Sequence, residues 1–460
     1  MRMMSSSMQQ GSSNSVVVVG GGAAGYMAAI QCGSKLQKES SDGDGPFSVT
    51  VLEMSSSPLQ KVKISGGGRC NVLHDPSKGA KLIAQGYPRG DKELISPYTK
   101  TWGPREAYLW FNERVALKTE ADGRVFPTTD KSESIVQVLQ AAARDVGVNI
   151  QCSTNVRGVQ VLPSGSFKIE YMQRVGSSDG GKRGDVHECF ADHIVIATGS
   201  SKAGHKMIAD LGHTIVPPKP SLFSFKIKDD RLTDLSGLSV PNARVKMCIS
   251  KTFKRENKDL VRPNQMSKFE QEGPLLITHQ GLSGPAVLRL SAYAARVMAE
   301  LTYDFEIVVA WIPEVSTTEV MEHLEETKSS HPQRSVTKTF PKLDLVRPEE
   351  LEWTMDEGER PSFQRGSIPK RLWGYILSKA GVDVSAGLVY GQLKRETLMK
   401  IATELTEGRF RVQGRGQYRD EFVTAGGVDT AELHFDKMES KRVPQMYFAG
   451  EILNIDGITG

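Results

Sequence analysis

Val16-Val17-Val18-Val19-Gly20-Gly21-Gly22-Ala23-Ala24-Gly25 is the stretch that decides the fold. Four valines in a row read as a buried strand, and the small residues 23–30 read as a helix. Between them the glycines at 20, 22 and 25 have the G-x-G-x-x-G spacing. Each glycine has a reason. Gly20 permits a tight turn, Gly22 lets the backbone approach a pyrophosphate, and Gly25 lets the helix pack on the strand, while the helix N-terminus offers N–H groups and a positive dipole end to phosphates. A second apolar strand, Val49-Thr50-Val51-Leu52, ends on Glu53, whose carboxylate can accept hydrogen bonds from an adenosine ribose. Glu53 lies beyond the usual spacing of about 20 residues because the polar stretch 38–46 lengthens the intervening loop. The plain alternative, a glycine-rich turn with no nucleotide, has no use for that acidic strand end.

A chain of 460 residues exceeds one ordinary core and predicts two or three domains. No apolar run is long enough to span a bilayer. The net charge of +4, set against 58 basic and 54 acidic residues, gives no nucleic-acid footprint. Five scattered cysteines without a C-x-x-C argue against a disulfide scaffold, a zinc site or a dithiol redox centre, and predict a reducing compartment. Residues 1–15, rich in Ser and Met with only Arg2 charged, have no apolar h-region and read as a disordered tail rather than a secretory signal. The expected location is intracellular, cytoplasmic or plastid/organellar.

From Val16 to about residue 205 strands and helices alternate, which predicts an α/β fold with a mostly parallel sheet. Helices are expected over residues 104–117 and 132–146, strands near 148–150, 167–171 and 193–197, and a hairpin loop over 175–185. From about residue 222 the pattern turns to period two, as in Phe223-Ser224-Phe225-Lys226-Ile227 and Ala243-Arg244-Val245-Lys246-Met247, predicting an antiparallel sheet or small barrel. Helices are expected at 317–328 and 369–379, separated by a charged, Pro-containing surface loop or insertion over 334–365. The domain reading is therefore a Rossmann-like first part over 16–205, an insert over 206–410 with a helical subdomain near 314–384, and a returning part over 411–460 whose last strand completes the first sheet.

Four further clusters bear on which nucleotide is held. Ile64-Ser65-Gly66-Gly67-Gly68-Arg69-Cys70-Asn71 presents backbone N–H groups unobstructed by side chains. Asp122-Gly123-Arg124-Val125-Phe126-Pro127 precedes a helix, and Ala197-Thr198-Gly199 is a tight strand exit. Tyr447-Phe448-Ala449-Gly450-Glu451, continuing to Asp456-Gly457-Ile458-Thr459-Gly460, can place a carboxylate on a ribityl chain. These runs favour a flavin over a nicotinamide as resident group.

Together with Thr278-His279-Gln280-Gly281-Leu282-Ser283-Gly284-Pro285-Ala286 and Val423-Thr424-Ala425-Gly426-Gly427-Val428, they resemble the HI0933-like (YhiN- or BaiN-like) family of FAD-dependent oxidoreductases over nearly the whole chain. The resemblance implies a split FAD domain interrupted by a small β-barrel and a helical subdomain. It implies pyrophosphate contacts at Gly20, Gly22, Ala23, Ala24 and Gly25, and Glu53 on the ribose. Lys61, Gly67, Gly68, Arg69, Cys70 and Asn71 would lie along the cofactor. Val156 would meet the adenine through its backbone, with Thr198 and Gly199 flanking the nucleotide. Gly450 and Glu451 would meet the ribityl chain, with Asp456, Ile458 and Thr459 at the flavin end. Two features depart from the family pattern: Lys63 replaces an apolar residue, and a long charged stretch precedes Phe363. Relatives also continue past Gly460 into a final helix. The expectation is therefore a fragment or splice form, or an impaired flavin site, since a terminal carboxylate would sit where a helix dipole stabilises flavin negative charge.

The activity implied is hydride transfer through flavin N5, with NAD(P)H as donor and an unidentified organic acceptor such as an activated C=C bond. No side chain is assigned as acid or base, and no metal or nucleic-acid partner is expected. A disulfide reductase would need a cysteine pair and a second G-x-G-x-x-G. An RNA-modifying flavoprotein and a non-catalytic FAD-binding protein stay open as alternatives. Among single residues, His279 is read as a helix cap before a flavin neighbour, Ser283 as the cap and Pro285 as helix position N1. Cys70 is read as packing before redox activity, and Arg69 as either an anion contact or a structural salt bridge. Trp311, Trp353 and Trp373 are read as packing or surface residues, and the basic residues 251–258 as a solvated hairpin tip.

Overall fold

The computed structural model describes residues 14–40, 47–173, 185–338, 340, 368–416 and 423–458. They form two compact units. One comprises the described residues up to Lys219 and those of Val423–Gly457, and the other those of Pro220–Phe422 with Ile458.

The valine run becomes the strand Ser15–Val19, at the centre of a sheet in the first unit. It pairs in parallel with His193–Ile196 on one side and Ser48–Leu52 on the other. Asn149–Gln151 adds beyond the latter and Met446–Phe448 beyond the former, both parallel, while Leu433–His434 and Glu439–Ser440 extend the far edge antiparallel. Parallel central strands are buried on both faces, so they read as unbroken apolar runs. Val16 and Val18 accordingly enter a core with Tyr26, Ala29 and Ile30 of the helix Ala23–Ser40 and with Ile135 and Leu139 of the helix Ser132–Asp145. Val17 and Val19 enter the opposite core with Phe167, Ile169 and Met207.

The second unit is built around a closed six-stranded barrel, in the order Phe225–Ile227, Gly281–Ser283, Glu270–Thr278, Ser239–Cys248, Asp304–Ala310, Gly408–Arg415. Helices Thr317–Ser330, Lys370–Lys379 and Arg395–Glu407 share its continuous core, in which Trp311 and Trp373 are fully buried. Trp353 lies outside the described residues.

Several expectations are corrected. The helix at 104 ends at Asn112, because Leu117–Thr119 pairs with Arg124–Pro127 across the turn at Gly123, φ +88°. Ser15 belongs to the first strand rather than to a tail, held by its backbone N–H and hydroxyl donating to Asp192 at 2.9 and 2.7 Å. The barrel runs through residue 415, so an insert ending at 410 would cut its last strand. Residues 251–256 form a short helix, not a hairpin tip, capped by Ser250 Oγ accepting from Phe253 N–H at 3.1 Å. Gly284, not Ser283, caps the helix Pro285–Tyr293, with Pro285 at N1, while Ser283 Oγ lies 2.6 Å from Ser224 Oγ. Within 334–365, Val336 and Phe340 are buried rather than on the surface, and Trp373 Nε1 donates to the Val336 carbonyl at 2.7 Å. The rest of that stretch, and residues 175–184 of the expected hairpin loop, lie outside the described residues. Among the described residues no helix is long and apolar enough to cross a membrane.

Candidate functional site: a glycine cradle at the strand ends

The three glycines of the first turn serve different ends. Gly20 has φ +110°, and a Cβ there would lie 2.4 Å from the Ala197 carbonyl oxygen. A Cβ at Gly25 would lie 1.9 Å from the Gly20 carbonyl oxygen. The fold itself demands both. Gly22 is unlike them: a Cβ there would meet no protein atom within 4 Å, and its φ is not positive. Its carbonyl accepts from Tyr26 N–H at 2.9 Å, so it stands at the head of the helix Ala23–Ser40, whose first turn, with Ala23 and Ala24, carries no acid. This leaves the positive end of an 18-residue helix uncompensated by its own side chains.

Glu53 closes one side of the turn. Its Oε2 accepts from Gly21 N–H at 2.6 Å and its Oε1 from Ser55 N–H at 2.7 Å. A carboxylate has further lone pairs for a ribose, but here it also holds the glycine turn in shape. Its own N–H donates to the Gln151 carbonyl, and its carbonyl accepts from Thr154 N–H, both at 2.8 Å. That ladder leads into the strand Thr154–Val161 bearing Val156, which is half-buried next to an irregularity in its pairing. Tyr26, buried behind the turn, has its hydroxyl pushed up to about 12, by burial first and then by the charges of Cys152 and Glu53.

The opposite side comes from the other end of the chain. Gly450 has φ +77°, and a Cβ there would stand 2.5 Å from the Ala24 Cβ, so only glycine lets this segment pass over the helix start. Glu451 is fixed by Lys61 Nζ at 3.0 Å and by Thr424 N–H at 3.1 Å. Gly199, φ +57°, adjoins it, a Cβ there falling 3.9 Å from Glu451 Oε2.

The loop at 65–71 turns through three successive left-handed glycines, Gly66, Gly67 and Gly68 at φ +56°, +68° and +85°. A Cβ at Gly67 or Gly68 would meet nothing within 4 Å. Arg69 is engaged elsewhere: its guanidinium donates to Glu120 at 2.5 Å and Asp130 at 2.7 Å, and lies 4.0 Å from the Phe126 ring centroid. Of its two readings the structure gives the salt bridge. Cys70 is buried, and burial pushes its thiol up, away from the thiolate that redox chemistry needs.

Two residues of the sequence-predicted set carry buried polar atoms with no partner, Asn71 Oδ1 and Thr198 Oγ1. Buried polar groups are normally hydrogen-bonded. An unused amide oxygen and an unused hydroxyl, beside glycines open at Cα, fit a ligand that brings its own hydroxyl or N–H donors, such as the sugar and ring groups of a dinucleotide. Asp456 is occupied otherwise, its fully buried carboxylate paired with Arg89. Ile458 is half-buried, and Thr459 lies outside the described residues. His279 belongs to the second unit and is exposed in the turn between two barrel strands, so it caps no helix. Sequence reasoning missed Thr424, which acts through a backbone N–H that leaves no residue-type signal.

Residues 14–460 match the family described as HI0933-like protein Rossmann domain. A 3-dehydro-bile acid delta(4,6)-reductase of Clostridium scindens is 25% identical over 429 residues, 91% of this chain and 89% of the relative. Ribosomal RNA dihydrouridine synthases of Haemophilus influenzae and Escherichia coli are 25% and 26% identical over 423 residues. Each alignment covers 90% of this chain, with 88% and 87% of the respective relatives.

Proposed function

Because this chain belongs to the HI0933-like family, a family of FAD-dependent oxidoreductases, we propose that it holds FAD non-covalently in the first unit and moves a hydride from NADH or NADPH to an organic acceptor with an activated C=C bond. The observation that carries the reading is Gly22, a glycine that neither backbone conformation nor any protein neighbour requires. A resident pyrophosphate supplies the missing reason.

Bound FAD supplies hydride chemistry at N5; the residues bind, orient and balance charge. In this reading the backbone at 20–25 and the head of the helix face the pyrophosphate, and Glu53 accepts from the ribose while keeping the turn closed. Val156 meets the adenine through its backbone, Thr198 and Gly199 flank the nucleotide, and Gly450 and Glu451 border the ribityl chain. Lys61 offsets the charge of Glu451, and the loop 67–71 lies along the cofactor with Asn71 Oδ1 as acceptor. Asp456, tied to Arg89, stiffens the closing segment rather than touching the ligand, and the Arg69 side chain does the same for the loop.

The relatives' names support reduction of a carbon–carbon double bond, since a delta(4,6)-reductase and a dihydrouridine synthase both add hydrogen across one. They favour two substrate classes, a fused-ring enone and a uridine in RNA. The modest net charge of +4 favours the small molecule.

Heat-release of the ligand from purified protein followed by chromatography is expected to yield FAD. Recovery of NAD alone or FMN alone overturns the proposal. Bleaching of the flavin absorbance by NAD(P)H separates an enzyme from a protein that merely binds FAD.

A further inference from the structure

Three consecutive residues of the closing segment, Ile455, Asp456 and Gly457, are held by one stretch of the first unit, residues 87–90. Asp456 pairs with Arg89 through their side chains, and the same two residues form an antiparallel backbone bridge. Gly90, φ +98°, lies against Ile455, where a Cβ would stand 2.7 Å from Ile455 Cγ1. Gly457 differs in kind. Its φ is not positive, and the nearest neighbours of a Cβ there would be atoms of the Tyr87 ring, Cε1 at 3.4 Å, an ordinary contact. Like Gly22, it is a glycine that neither backbone conformation nor a protein clash requires.

Tyr87 is half-buried, and its hydroxyl is not isolated. Tyr98, on the helix Asp91–Lys100, donates its hydroxyl hydrogen to the Tyr87 oxygen at 3.1 Å, the two rings standing edge to face with centroids 6.3 Å apart. Burial first, and then Tyr87 itself, push the Tyr98 hydroxyl up, so it stays protonated as the donor of the pair. A phenol has one hydrogen to give. With its oxygen receiving from Tyr98, Tyr87 directs that hydrogen elsewhere, and among the described residues no group accepts it. A hydrogen bond received at the oxygen polarises the O–H and strengthens the bond it gives in turn. The Tyr87 ring that carries this donor is the side chain lying against Gly457.

We propose that Tyr87 is a redox-tuning residue: beside Gly457 its hydroxyl donates a hydrogen bond to the pyrimidine edge of the flavin, where negative charge collects on reduction, and Tyr98 is the positioning residue that aims and polarises that donor. This role rests on the reading that the closing segment runs along the flavin end of bound FAD. Hydrogen bonds to charged acceptors are stronger than those to neutral ones, so a donor at that edge holds the reduced, anionic cofactor more tightly than the oxidised one. The Tyr87 proton stays on its oxygen throughout. The absent side chain at 457 leaves the edge room to approach the hydroxyl.

The test is an anaerobic redox titration at pH 8.0 of the FAD-loaded parent, Tyr87→Phe and Tyr98→Phe, with the affinity for oxidised FAD measured alongside. Both variants keep the aromatic ring and its packing and remove one oxygen. Relative to oxidised FAD, Tyr87→Phe is expected to lose about tenfold in affinity for the reduced form, the lower end of the scale for a hydrogen bond to a charged group. For a two-electron couple that is a midpoint potential lower by about 30 mV. Tyr98→Phe is expected to shift the same way by less. An unchanged or raised potential in Tyr87→Phe overturns the proposal. Sulfite gives a second readout, since its adduct at flavin N5 leaves negative charge on the same pyrimidine edge. Its Kd should rise about tenfold in Tyr87→Phe, on the same scale, and an unchanged Kd overturns the proposal equally. A parent that binds no FAD refutes the flavin reading instead, which separates the two failures.

Discussion

Adding one methyl group at Gly22 and the same methyl group at Gly25 should have opposite consequences, because the two positions have opposite surroundings. A Cβ at Gly25 would stand 1.9 Å from the Gly20 carbonyl oxygen and 3.4 Å from the Ala197 Cβ. The helix Ala23–Ser40 would have to lift from the central strands, and forced overpacking of this kind costs about 1–3 kcal/mol. At Gly22 the methyl group would meet no protein atom within 4 Å, and the backbone is not in the left-handed region. Gly22→Ala should therefore leave the apo-protein within about 0.5 kcal/mol of the parent. Its effect should fall on FAD. Losing one hydrogen bond between backbone and a charged phosphate costs about 1.5–3 kcal/mol, or roughly ten- to 150-fold in Kd. Gly22→Leu, reaching further into the same space, should abolish binding. Chemical denaturation of the apo-proteins, paired with FAD titration by flavin fluorescence, measures both axes. The reasoning is refuted if Gly22→Leu binds FAD as tightly as the parent, or if Gly22→Ala destabilises the apo-protein as much as Gly25→Ala does.

Glu53→Ala should lower apo-protein stability as well as FAD affinity, since it releases Gly21 N–H and Ser55 N–H from bonds of 2.6 and 2.7 Å. Each bond to a charged acceptor contributes about 1.5–3 kcal/mol; a thermal melt unchanged from the parent would show that the turn keeps its shape without the carboxylate. The pH dependence of stability follows from the buried histidines. His205 and His213 are 6% and 4% exposed, and burial lowers the pKa of both, as it does for His74. Above about pH 6.5 neither state binds these protons. Below it the unfolded chain takes them up first, so the stability contributed by the neutral rings is full above the unfolded pKa and is lost as pH falls toward the folded values. The limiting slope is about 1.4 kcal/mol per pH unit for each histidine. Denaturant midpoints at pH 7.5 and 5.5 check this, and a midpoint that rises on acidification contradicts it.

Legibility in the sequence followed the range of the interactions involved. Val16 to Val19 announce a strand covered on both faces because burial is written into residue type, and the structure divides them alternately between two cores. The barrel was legible for the same reason, since Phe225, Ile227, Val245 and Met247 alternate with polar residues along their strands. Its last strand was only partly legible: Phe410 and Val412 alternate with Arg409 and Arg411, but Gly408 and Gly414 interrupt the run, and the strand is held in place by pairing with the distant strand Asp304–Ala310. Side-chain partners were the least legible. Arg69 admitted both an anion and a salt bridge until the fold brought Glu120 and Asp130 to it from 51 and 61 residues away. Glu53 gave no sign of its bond to Gly21 N–H, 32 residues back, yet that bond couples the shape of the turn to the acid at the strand end. The consequence is physical. Any substitution at Glu53 perturbs the cradle and its ligand together, whereas one at Gly22 perturbs the ligand alone, so the contrast between those two positions separates a turn built for a nucleotide from a turn that is only tight.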